Sequence, residues 1–475
     1  MNQTITIMPN TKKNLWILTE ERPKREVIKQ IIELVTKKPY KIKTIKPIIC
    51  CKKFDGTYEV IGTKTEFPKI IIELVSGTSG KETGSFVDFL IFQQEDSPIP
   101  EKKEKPTHAI EETKTTPVQS RNTASGQRLS KFVTLKAYPE IFDKAKKVMV
   151  WNYRTEIPEK LPNTVLKDFR KMISLDVKLS GIDELVDLSE KKFSKFKDLD
   201  DLIKTQNSGR KPPKSNTPIK MKIEGNGPKK RLEISGKLKK GESWSDPNMG
   251  NLSALIFLAR KHKWKGNIVI TKHQITQKKI DGTRKEGNKF LRIVTRYKAN
   301  MSNIKLRKYE YAPYYWKKDK DKKEKIGSIF LHIAIEDNGK LEVIYENHAS
   351  SEQGYIIDSN GKSNEYRKAG KKPDLVIRDD KNKQIFILEG EYAKNVSVGV
   401  KQLAGFTEFE NVCKQLYPNY MCKRFVVLFG DNEFPPKMTK AEKNKVIFRL
   451  KIDGKMITYD ECPQVIKDVI SKLEK

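Results

Sequence analysis

The chain has 475 residues, of which 36% are hydrophobic, and no apolar run is long enough to span a bilayer. Its formal charge of +34, from 95 Lys and Arg against 61 Asp and Glu, points to a polyanionic partner, with phosphate as the obvious chemistry. A bias toward Lys alone would not leave the acids so far behind.

Other classes are excluded by what the sequence lacks. MNQTITIMPNTKK has no sustained apolar core of a signal peptide. The five cysteines, Cys50, Cys51, Cys413, Cys422 and Cys462, show neither metal spacing nor a secreted framework, so a reducing, cytoplasmic setting and buried free thiols are expected. Five scattered histidines leave little for a zinc or HNH site. There is no Walker loop, no G-x-S-x-G elbow and no methyltransferase-like glycine loop with N-P-P-Y.

Residues 1–95 read as a small α+β module. Pro23 opens a helix with Val27, Ile28, Ile31, Ile32, Leu34 and Val35 on one stripe. Strand-like pieces follow at Ile48–Cys51, Tyr58–Gly62, Ile70–Val75 and, after the loop SGTSGKETGS, at Phe86–Phe92. Asp88 inside the last piece has no E-x-K after it, so a satisfied buried acid or an edge position is expected. Residues 96–128 are rich in Pro, Ser, Thr and mixed charge, with almost no apolar period, and read as a flexible linker.

Residues 129–326 form a basic region. Leu166, Phe169, Met172 and Ile173 make one helical face, and Ile182, Leu185 and Leu188 another. Lys204–Lys240 is dense in Lys and Arg with Gly and Pro, suited to a phosphate backbone or to plain solvation; Lys211, Lys229, Lys230 and Arg231 are the candidate contacts. Ser245 or Asp246 caps a helix with Pro247 at its first position and Gly266 after it, and Asn267–Thr271 is a buried strand. Tyr314, Tyr315 and Trp316, set among lysines, could stack on unpaired bases or belong to a core.

Residues 327–475 begin with an expected hairpin, Ile329–Glu336 and Leu341–Tyr345 around Asp337-Asn338-Gly339. Asp374–Arg378 is a strand, Asp379–Lys383 a polar turn, and Gln384–Leu388 a strand buried on both faces. That strand runs into Glu389 and Glu391, two apart and therefore on one face, beside Asp374. Unpaired buried carboxylates are costly, and a divalent cation offsets the cost. Ser397–Leu416 has the spacing of an amphipathic helix, and Cys422–Gly430 is another buried strand.

Pro373-Asp374, a hairpin-sized spacer and Glu389-x-Glu391, in β-β-α-β order, resemble the catalytic core of the PD-(D/E)xK nucleases, most closely type II restriction endonucleases. The resemblance covers the last quarter of the chain. It implies an α/β fold of mixed α+β type, with a mixed sheet flanked by helices. It also implies Mg²⁺ held by Asp374 and Glu389, with Glu391, where the usual residue is Lys, as a further ligand or water-orienting group. Lys394 is a candidate for the displaced ammonium. The implied activity is sequence-specific hydrolysis of double-stranded DNA, with a separate cognate methyltransferase as partner and monomer or homodimer left open. A structure-specific repair or recombination nuclease and a non-catalytic DNA-binding protein are the alternatives.

Overall fold

A computed structural model describes residues 13–19, 24–50, 53–77, 87–99, 105–115, 124–153, 163–181, 219–224, 231–237, 246–273, 284–301, 316–318, 323–338, 340–347, 354–360, 363–366, 371–434 and 437–473. The fold is mixed α/β and divides into two compact units. Unit 1 comprises Met1–Ser76, Phe92–Ile99 and Lys317–Lys475; unit 2 comprises Gly77–Ile91 and Pro100–Trp316. No described helix is long and apolar enough to cross a membrane.

Unit 1 opens with β1 (Asn14–Thr19), α1 (Arg25–Thr36), β2 (Ile42–Cys50), β3 (Lys53–Gly62) and β4 (Ile70–Gly77). Val27, Ile28, Ile31 and Ile32 recur at helical spacing and form the buried stripe of α1. Lys37 closes the helix in the left-handed region, its N–H donating to the Glu33 carbonyl. The strands lie in the order β2-β3-β4-β1, with β1 parallel to β4 and β3 antiparallel to both neighbours. The expected helix and all four expected strands are present, the fourth as Phe89–Gln94, and β1 is an addition.

Unit 2 is built twice from one plan. The first copy runs β5 (Phe89–Gln94, whose last three residues fall in unit 1), β6 (His108–Thr115), α2 (Ala124–Ala137), β7 (Lys146–Tyr153), α3 (Asn163–Ser174) and β8 (Val177–Ser180). The second runs β9 (Ile219–Glu224), β10 (Arg231–Lys237), α4 (Asp246–Lys261), β11 (Asn267–His273), α5 (Arg284–Arg296) and β12 (Ala299–Met301). In each copy the first two strands are antiparallel, and the remaining strands add in parallel, each after a helix. Both copies enter their last strand through a left-handed residue, Asp176 in one and Lys298 in the other. Helices α2 and α4 approach so closely that a Cβ on Gly250 would run into the Gly126 carbonyl, and only glycine fits there.

This arrangement corrects the expected linker over 96–128. His108–Thr115 is a strand paired on both sides, and α2 starts at Ala124. HAIEETKT carries no apolar alternation because Glu111 and Glu112 are both buried there, Glu111 against the Lys131 ammonium at 2.7 Å. The predicted helices at Leu166–Ile173 and after Asp246 are α3 and α4, and the predicted strand after Gly266 is β11. Residues 78–86, 182–188 and most of 204–240 lie outside the described residues.

The chain returns to unit 1 within β13 (Trp316–Lys318). A single 3₁₀ turn, Lys323–Lys325, leads into α6 (Ile326–Asn338), then β14 (Glu342–Glu346), β15 (Gly354–Ile357) and β16 (Ser363–Tyr366). β17 (Leu375–Asp379) and β18 (Gln384–Tyr392) follow, then α7 (Val396–Gln402), α8 (Thr407–Leu416), β19 (Met421–Phe429), β20 (Val446–Leu450), β21 (Met456–Thr458) and α9 (Gln464–Ser471). The sheet order is β14-β17-β18-β19-β20-β21, which places β18 and β19, a parallel pair, at its centre.

Ile329–Glu336 is a helix and not the expected first strand of a hairpin. IGSIFLHIAI is apolar on every side because α6 is buried all round, so it shows no helical period. Its partner Glu342–Glu346 is a strand and does extend the sheet, antiparallel to β17. The expected helix Ser397–Leu416 divides into α7 and α8 about a 3₁₀ turn, Leu403–Phe406, where Gly405 lets Lys371 pack closely.

The expected independent module over 1–95 is also corrected, since the first strands and helix share a unit with the C-terminal sheet. Asp337 at the end of α6 accepts from Thr44 Oγ1 at 2.6 Å and the Ile45 N–H at 3.3 Å, and forms an ion pair with Arg25.

Candidate active site

The β17–β18 hairpin is set by its turn. Asp379 accepts from the N–H groups of Lys381 and Asn382 and from Asn382 Nδ2 at 2.7 Å, while Lys383 takes a left-handed φ of 50°. The register then pairs Leu375 with Leu388. Asp374 lies one step beyond, its N–H on the Leu388 carbonyl at 3.0 Å and its carbonyl accepting from Asn347 N–H at 2.8 Å. Asp374, Glu389 and Glu391 are all buried.

Asp374 Oδ2 accepts the Gly390 N–H at 2.9 Å. A Cβ at Gly390 would sit 3.0 Å from that oxygen and 2.8 Å from Ser328 Oγ, so the glycine between the two glutamates keeps the carboxylate seated on the strand. Asp374 Oδ1 pairs with Lys325 Nζ at 2.8 Å, and the same ammonium donates to the Asn347 carbonyl at 3.0 Å. Lys325 sits at the head of α6, where Ser328 Oγ donates to its carbonyl at 2.9 Å. Gly327 allows that helix to approach the Leu428 carbonyl.

Among the described residues, Glu389 Oε2 is buried without a hydrogen-bond partner. Burial and the neighbouring Asp374 charge push the Glu389 carboxyl up to about 9, with Glu391 and Glu324 adding to the rise and Lys325 opposing it. Burial also raises Asp374, against the pull of Lys325 and of the Gly390 N–H. Glu391 is raised by burial and turned elsewhere: its Oε1 accepts from the Tyr392 N–H at 2.9 Å and from Asn395 Nδ2 at 3.4 Å.

The hairpin thus brings Asp374 and Glu389 together and holds Glu391 close by on the same strand. Lys394 is exposed, and its ammonium lies over the Tyr392 ring, 5.4 Å from the centroid. The ammonium at Asp374 comes from Lys325, which the sequence pattern does not single out. Its signal is the Lys immediately before a long apolar run containing Gly327 and Ser328, and it is hidden because that run has the composition of a strand.

Among the DNA-contact candidates, Arg231 opens β10, exposed and 3.8 Å from Glu233. Trp316 begins β13. Lys211, Lys229, Lys230, Tyr314 and Tyr315 lie outside the described residues.

Among the described residues no three or more His, Cys, Asp and Glu side chains converge on one point. Mg²⁺ does not need such a cage, since one or two carboxylates with water and substrate phosphate suffice. Two carboxylates, one with an orphaned oxygen, and an excess of acids over the lysine described there, Lys325, fit that requirement.

No known protein family, curated protein or solved structure matches this chain.

Proposed function

We propose that the chain is a Mg²⁺-dependent DNA endonuclease of the PD-(D/E)xK type, most like a type II restriction enzyme. The observation that carries this reading is the unpartnered, buried Oε2 of Glu389 beside Asp374 and Lys325. A buried carboxylate oxygen with no donor is a standing cost unless a cation meets it.

Asp374 and Glu389 would hold the metal, which when bound supplies Lewis-acid polarisation of the phosphate and a water of lowered pKa. Asp374 is fixed for this by the Gly390 N–H, so the carboxylate need not reorganise as charge develops. Lys325 supplies the ammonium that the motif otherwise carries two residues after the second acid, where this chain has Glu391. Its Nζ neutralises Asp374 in the free protein and donates to a non-bridging phosphate oxygen once substrate arrives. Glu391, held by Asn395 and the Tyr392 N–H, orients water from the side of the strand. The +34 charge favours a nucleic-acid substrate. A separate methyltransferase protecting the cell's own DNA belongs with a restriction activity.

The test is a supercoiled-plasmid digest with Mg²⁺, comparing the wild-type chain with Asp374→Asn and Glu389→Gln. Wild type is expected to cut and each variant to lose about a hundredfold or more in rate while still binding DNA. Discrete fragments mark a sequence reader, and cutting only at junctions marks a structure-specific nuclease. An Asp374→Asn chain that cuts at the wild-type rate sinks the reading.

A further inference from the structure

Unit 2 repeats the hairpin geometry of the candidate site. Asp88 stands immediately before β5, as Asp374 stands before β17, and its strand pairs antiparallel with β6 as β17 pairs with β18. Asp88 Oδ2 accepts the Glu112 N–H at 2.8 Å, the counterpart of Asp374 Oδ2 on the Gly390 N–H at 2.9 Å. The residue before that N–H is a buried glutamate in both places, Glu111 here and Glu389 there. A helix and a parallel strand follow in each case, α2 and β7 or α7–α8 and β19.

The two centres differ in their cations. Lys131 Nζ lies 2.7 Å from both oxygens of Glu111 and 3.3 Å from Asp88 Oδ1. Arg128 Nη1 adds a contact to Glu111 Oε1 at 2.8 Å, and the Asp88 N–H donates to Glu111 Oε2 at 3.2 Å. Every carboxylate oxygen of the pair therefore has a protein donor, and two acids face two bases. Among the described residues, Lys325 pairs with Asp374 and Glu389 Oε2 has no hydrogen-bond partner, while Glu324 and Glu391 add negative charge near Glu389. Lys131 and Arg128 both rise from α2, one turn apart on the helix that packs against α4 at Gly250.

We propose that unit 2 contains a second acid centre of the same construction, closed by Lys131 and Arg128. It takes no divalent cation and cleaves nothing, and each chain works with one open centre. Lys131 occupies with its own ammonium the position that a metal ion would fill, and the closed centre serves to anchor α2 on the β5–β6 hairpin. That Asp374 and Glu389 form the open centre rests on the reading above; the closure does not.

The experiment uses the full chain, Mn²⁺ as the probe in calorimetry, and urea unfolding. The Asp374→Asn/Glu389→Gln chain is expected to bind no Mn²⁺ at concentrations that saturate wild type, and Glu111→Gln to bind and cleave within about twofold of wild type. Mn²⁺ retained by the double variant and lost on adding Glu111→Gln would show an open second centre and overturn the proposal. Closure is read separately from a cycle of Glu111→Gln, Lys131→Met and both together. The pair is expected to be less destabilised than the two singles combined, by about tenfold in the unfolding constant. Strict additivity would overturn the closure even if the cleavage reading stands. A wild-type chain that binds no Mn²⁺ would count against the open centre, and the cycle would still decide the closed one.

Discussion

Two residues carry most of the chemistry that spacing alone does not reveal. Lys325 is the first, because its place beside Asp374 depends on how α6 enters the sheet and not on distance along the chain. Lys325→Met is expected to lower the cleavage rate by about a hundredfold with little loss of DNA affinity, since one donor aimed at developing charge is worth roughly that much. A proportional rise in KM with unchanged kcat would make it a binding residue only. Glu111 is the second, its carboxyl pushed up to about 7 by burial and by Asp88, against Lys131 and Arg128. A carboxyl whose folded pKa exceeds its unfolded one takes up a proton on folding. Its contribution to stability is therefore largest in acid and declines as pH rises from about 4.5 to about 7. Lys131 is held charged, its burial outweighed by Asp88 and Glu111, so it adds no opposing change over that window. Glu111→Gln should remove the decline, so the gap in urea midpoint between wild type and variant narrows from about pH 5 to about pH 7. A constant gap would count against the assignment.

At the level of elements, sequence pattern is most informative where one face is buried and the other wet. Val27, Ile28, Ile31 and Ile32 of the α1 stripe and Phe169 and Met172 of the α3 face are buried as read, while Leu34, Val35 and Ile173 are half-buried, and the turn-bounded run Gln384–Leu388 is a strand as read. Pattern fails where burial is complete or charge is buried. α6 has no polar face to mark its period, and its four isoleucines favour a strand reading. β6 hides two glutamates, and the bases that meet Glu111 lie on a helix some twenty residues later, which no local window reports. Helix α6 also supplies a sharp test of packing. A Cβ at Gly327 would lie 2.6 Å from the Leu428 carbonyl, a backbone atom that cannot swing aside. Gly327→Ala is expected to cost about 1–3 kcal/mol in denaturant unfolding and to displace Lys325 from Asp374. Unchanged stability together with unchanged cleavage would show that α6 does not fix the lysine.

For the whole molecule, the decisive point is that the chain's first strands belong with its last sheet. The sequence pattern suggests a detachable module ending near residue 95, which predicts that removing it leaves the C-terminal region intact. The structure groups Met1–Ser76 with Lys317–Lys475, and the tie is specific. Asp337 ends α6 and is met by Arg25 from α1 and by Thr44 and Ile45 from β2, while Phe54 N–H donates to the Ile452 carbonyl at 2.6 Å. Arg25 in turn donates to the carbonyls of Ile42 and Lys43 at 2.9 and 3.0 Å, so one guanidinium holds α1, β2 and α6. Deleting residues 1–76 would strip α6 of these partners and expose apolar residues it buries, and α6 is the helix that carries Lys325 to Asp374. The truncated chain is expected to lose cooperative unfolding of the C-terminal sheet and to lose cleavage. Asp337→Ala in the intact chain separates the tie from gross truncation. It should cost about 1–3 kcal/mol, the usual range when a partly buried carboxylate leaves charged and backbone donors behind. A truncated chain that melts at the wild-type temperature would restore the detachable module.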